Sequence, residues 1–63
     1  MKRLVILGGG ESGAGAAKLG KKLGYEVFLS DKGKLADKYK RVLEELGVEY
    51  EEGQHSEERI FTA

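Results

Sequence analysis

The residues Gly8-Gly9-Gly10-Glu11-Ser12-Gly13 form a G-x-G-x-x-G between an apolar run, Leu4–Leu7, and a run of small residues, Ala14–Ala17. That spacing suits anion binding. Gly8 permits a tight turn, Gly10 lets backbone approach a phosphate, and Gly13 lets a helix lie close on a strand. A helix opening there presents free N–H groups and a partial positive charge to the anion. Asp31 stands eighteen residues beyond Gly13, near the ~20 expected of a ribose-binding carboxylate. Lys32 and Lys34 flank that turn, where they either meet an anion or stay solvated. Ser12 either caps the helix or touches a phosphate. Glu11 is the discordant member, since a carboxylate repels pyrophosphate unless it faces solvent or bonds a neutral group. His55 has no evident ligand or base partner and reads as a surface residue. The chain holds no G-x-x-x-x-G-K-[ST] loop, no paired nucleophile and base, and no metal-ligand cluster. The chemistry on offer is binding.

The elements that must position these residues alternate strand and helix, with Gly at the joints and no Pro. Leu4–Leu7 is apolar throughout, as in a parallel strand buried on both faces. A helix is expected from near Ser12, with Ala16, Leu19, Gly20 and Leu23 facing inward and Gly24 as its left-handed end. A second strand is expected over Glu26–Ser30. A second helix, Leu35 to Leu46, carries the clearest periodicity, with Leu35, Tyr39, Val42, Leu43 and Leu46 on one face and Gly47 closing it. Val48–Glu51 alternates like a strand with one wet face. Ser56 reads as the cap of a short helical stub, with Glu57 and Glu58 in its first turn. The order predicts an α/β fold: a Rossmann-like βαβαβ half with a parallel sheet in order 3-2-1, in three layers or as a two-layer fragment.

At 63 residues the chain is less than half of the roughly 150 usual for a domain, so 1–63 reads as a single, truncated nucleotide-binding domain. Composition is 40 % hydrophobic and 35 % charged, which argues against both a membrane span and outright disorder. With no Cys, the chain fits a reducing, cytoplasmic setting. Residues 1–41 carry ten Lys or Arg against four acids, and residues 42–63 carry one against seven. The basic first part suits an anionic ligand. Neither part has the basic and aromatic pattern of a nucleic-acid surface.

Three motifs in order, G-x-G-E-S-G at 8–13, S-D-x-G at 30–33 and E-E-G-x-H at 51–55, make the chain resemble a known family. It is similar, over essentially its whole length, to the start of the UDP-N-acetylmuramoyl-L-alanine–D-glutamate ligases, Mur ligases of peptidoglycan synthesis. The resemblance implies that this segment binds the uridine diphosphate end of a UDP-sugar. Gly8, Gly10, Glu11, Ser12 and Gly13 would meet phosphate, and Asp31 and Lys32 the uracil and ribose side. Gly33 stands where many members carry Arg. The family's ATP, its Mg2+ and its catalytic machinery lie beyond residue 63, so the resemblance implies an excised or engineered fragment that is not itself catalytic and has no cofactor of its own. Two other readings stay open: a minimal Rossmann-like folding unit without ligand, and an NAD- or FAD-type half-domain. The expected partners are a weakly bound UDP-sugar or other nucleotide, with no nucleic acid and no membrane. Without a fourth strand the outer edge of Leu4–Leu7 lies open, which predicts a homodimer through that edge.

Overall fold

The computed structural model describes residues 2–56, 58 and 60. In chain order it contains β1 (Arg3–Leu7), α1 (Gly10–Lys22), β2 (Glu26–Asp31), α2 (Asp37–Leu46) and β3 (Glu49–Glu52). The three strands form one parallel sheet in the order β1-β2-β3. Parallel strands need a crossover, and α1 and α2 supply the two. No helix among the described residues is long and apolar enough to cross a membrane.

Both helices lie on one face of the sheet and touch each other. The register places Leu4, Val27, Ile6, Leu29 and Tyr50 on that face. There Val27 and Leu29 join Ala17 of α1, Leu43 of α2, and the flanking Leu35 and Val48 in the core. The other face carries Val5, Phe28 and Glu49 in one row, and Leu7, Ser30 and Glu51 in the next. Arg3 adds its guanidinium over the Phe28 ring, 5.9 Å from the centroid.

α1 departs from the expected helix in two ways. It begins at Gly10, two residues before Ser12, and its buried residues are Gly13, Ala14, Ala17 and Gly20. Ala16 is exposed, and Leu19 and Leu23 are 57 % and 63 % exposed. Small size, not hydrophobicity, chooses the inward face. A Cβ on Gly13 would collide with the Gly8 carbonyl oxygen. One on Gly20 would stand 2.8 Å from Leu4 and 2.9 Å from Val27. Rotating the large residues inward would lift the helix off the sheet.

α2 follows its pattern, with Leu43 fully buried and Gly47 closing it at φ +71°. It starts at Asp37, so Leu35 is buried from the preceding loop. β3 runs one residue later than expected, and its supposedly wet face contains Glu51, only 8 % exposed. Beyond β3, Ile60 N–H donates to Ser56 O at 3.0 Å. The rest of the expected stub, at 57, 59 and 61–63, lies outside the described residues.

Candidate functional site

The sequence between β1 and α1 folds as a turn because two of its glycines adopt backbone angles that other residues avoid. Gly8 has φ +103° and Gly10 has φ +75°, and around either Cβ position no atom from outside the adjoining backbone lies within 4 Å. The loop backbone therefore stands bare on its outer side, where a ligand can approach it. Behind it, Gly13 seats the first turn of α1 against the Gly8 carbonyl.

Gly9 is the helix cap and, having no side chain, makes no side-chain capping bond to the first turn. Ser12 accordingly does not cap; it sits exposed within the first turn, beside exposed Glu11. An α-helix leaves its first N–H groups without intrahelical partners, so the opening of α1 offers amides and a positive dipole end to an anion.

Asp31, at the end of β2, is tied directly into this loop. Its Oδ2 accepts the Gly9 N–H at 2.6 Å and its Oδ1 accepts the Gly33 N–H at 2.8 Å. The Gly9 bond, then the Gly33 bond, hold the carboxyl below its usual range against a smaller opposing effect of desolvation, with the nearby His55 adding to the lowering. Asp31 is thus an ionised brace as well as a candidate ligand contact. Each carboxylate oxygen keeps a further lone pair, so it can still accept a hydroxyl such as a ribose offers. Lys32 lies exposed in the turn that follows.

The segment after β3 contributes a second set of ties that the sequence did not disclose. Glu51 Oε2 accepts from the Ser30 hydroxyl and from the Ser56 N–H, each at 2.9 Å, and Gln54 Nε2 lies 3.4 Å from Oε1. His55 Nδ1 lies 2.7 Å from Ser30 Oγ. His55 is exposed, as expected of a surface residue, but it has a partner in Ser30. Gly53 at φ +79° donates its N–H to Gly33 O at 2.8 Å. Glu52 accepts the Leu35 N–H at 2.9 Å and pairs with Lys40 at 2.7 Å. Lys40 first, then the Leu35 amide, hold the Glu52 carboxyl low. S-D-x-G and E-E-G-x-H are the two halves of one hydrogen-bonded junction.

All seven expected site residues therefore gather at the carboxyl end of the sheet. A cavity of about 380 Å3 opens at the other end, where Arg3, Glu26 and Glu49 begin the strands. Its lining is of mixed charge and contains no helix start. Ligands of open parallel sheets bind at the carboxyl ends of the strands, so the loop is the stronger candidate.

Among solved structures, none matches the chain significantly. Curated relatives do. The chain is 61 % identical over 62 residues to a UDP-N-acetylmuramoylalanine–D-glutamate ligase of Christiangramia forsetii, 54 % over 63 to one of Bacteroides fragilis, and 56 % over 63 to one of Bacteroides thetaiotaomicron. These matches cover 98 %, 100 % and 100 % of this chain but 14 % of each relative. The profile of the MurD N-terminal domain matches residues 3–62, every element described above, and the chain belongs to that family.

Proposed function

We propose that this chain is the uridine-diphosphate-binding part of a ligase that adds D-glutamate to UDP-N-acetylmuramoyl-L-alanine in peptidoglycan synthesis, working in the cytoplasm. The observation that carries the reading is the bare backbone at Gly8 and Gly10, placed before an uncapped helix start and beside the Asp31 carboxylate. In this reading the diphosphate takes the free amides opening α1, with Gly13 holding the helix close enough to supply them. Asp31, being ionised, turns to the nucleoside and accepts a ribose hydroxyl, while Lys32 offsets its charge. ATP, Mg2+ and bond formation belong to the segments of the ligase outside these 63 residues. The chain alone binds and does not catalyse.

Amide chemical-shift mapping with UDP, ADP and NAD tests this. UDP is expected to move Gly10–Gly13 and Asp31 more than ADP or NAD does, with a dissociation constant of about 1 mM, or ~4 kcal/mol. Equal shifts from all three would mark a general dinucleotide loop. No shifts from any would leave only a folding unit.

A further inference from the structure

We propose that Glu51, Ser30 and His55 position the glycine loop, by fixing the end of β2 from which Ser30 and Asp31 hold Gly8 and Gly9. The connections are short and consecutive. Ser30 O accepts the Gly8 N–H at 2.7 Å, and Asp31 Oδ2 accepts the Gly9 N–H at 2.6 Å. Two successive residues of β2 thereby grip two successive residues of the loop from one side of the strand end. The Ser30 side chain projects to the opposite face, where it is fully buried against the residues that follow β3.

Counting protons fixes how that cluster works. The Ser30 hydroxyl has one proton and three neighbours: Glu51 Oε2 at 2.9 Å, Gln54 O at 3.2 Å and His55 Nδ1 at 2.7 Å. A carboxylate and a carbonyl only accept, whereas an imidazole nitrogen either accepts or donates. The two shorter contacts are both satisfied only if Ser30 donates to Glu51 and His55 donates Nδ1–H to Ser30, with Gln54 O left as the longer, secondary acceptor. Glu51 thus orders the hydroxyl, and the hydroxyl selects the histidine tautomer, leaving Nε2 as the outward nitrogen. The consequence is a strand end clamped from both faces, with Asp31 as the next residue along.

The functional consequence rests on the nucleotide reading above, but the positioning itself does not. Two variants of the full 63-residue chain test it, Ser30→Ala and His55→Ala. The second alters an exposed side chain and keeps the test decisive if the first fails to fold. In each folded variant the Gly9 amide is expected to exchange faster relative to Leu29, by about tenfold in Ser30→Ala and about threefold in His55→Ala, the worth of one hydrogen bond or less. In Ser30→Ala the Asp31 titration, followed through the Gly9 and Gly33 amides, is expected to move up toward its ordinary value of 3.8; His55→Ala is judged on Gly9 exchange alone, because losing the imidazole raises Asp31 directly. In the parent chain, imidazole nitrogen shifts are expected to report the neutral tautomer with the proton on Nδ1 and Nε2 unprotonated. Unchanged Gly9 exchange in a folded variant would overturn the proposal and reduce the cluster to a local lock. If UDP fails to bind the parent chain, the nucleotide reading falls, and the Gly9 and Asp31 measurements still decide the positioning.

Discussion

The two helices cover the same face of the same sheet, yet they are built on opposite rules. α2 presents a stripe of large residues, with Leu43 fully buried and Leu46 packed beside it. α1 presents Gly13, Ala14, Ala17 and Gly20 to the sheet and turns Leu19 and Leu23 outward. The difference follows from what each helix must do. α2 closes the core, and core stability grows with apolar area removed from water. α1 must bring its first turn against the β1–α1 loop, and only residues without bulk allow that approach. α1 gives up hydrophobic contact, and helix propensity of about 1 kcal/mol per interior Gly, to hold the loop in place.

The sharpest way to break this comparison is Gly13→Val. The new side chain would meet the Gly8 carbonyl, a backbone atom whose turn is fixed by the Ser30 and Asp31 bonds. Relief requires moving the whole helix. The expected loss exceeds about 4 kcal/mol, the range of core-breaking changes, against about 3–9 kcal/mol of total stability for a chain of this length. Circular dichroism should show a largely unfolded chain. A folded variant with native melting would mean that α1 has slack at its start and that the glycine serves the ligand alone.

Leu43→Ala attacks the other rule. Its cost is expected to be about 3 kcal/mol, since the side chain is fully buried and a cavity remains. The loss should be general, lowering the denaturation midpoint while the Gly9 and Gly33 amide shifts of the folded fraction stay in place. If those shifts move as much as in Ser30→Ala, α2 is coupled to the loop and the division between the helices fails.

This division also explains what the sequence disclosed. Strand and helix order, the Gly24 and Gly47 turns and the α2 face are legible because apolar spacing and left-handed glycines mark them locally. The glycine loop and Asp31 are legible because their spacing is itself the signal. On α1, Gly20 faces inward as expected and Gly13 packs close, but a pattern weighted by hydrophobicity chooses Ala16, Leu19 and Leu23 where the structure buries Ala14 and Ala17. Ser12 has the side chain of a cap, but the positive-φ glycines let the helix begin two residues before it, at Gly10. Glu51 and His55 were hidden for a different reason. Their partner Ser30 is 21 residues from the one and 25 from the other, and only the parallel register of β2 with β3 brings them together.

The smallest expected effect is the one that best separates helix stability from ligand binding. Glu11 lies exposed in the first turn of α1, where a carboxylate interacts favourably with the positive end of the helix. Glu11→Gln keeps the shape and removes the charge, so the fold should lose about 0.3–1 kcal/mol, less at high salt. Binding should respond with the opposite sign. A diphosphate drawn to the same amides is repelled by that carboxylate, and its removal should tighten UDP by about two- to threefold, the scale of an exposed charge pair. A variant that is less stable yet binds UDP more tightly would place the anion at the start of α1. Weaker binding would instead show Glu11 accepting a hydrogen bond from a neutral group of the ligand, and unchanged binding at low salt would move the diphosphate away from this turn.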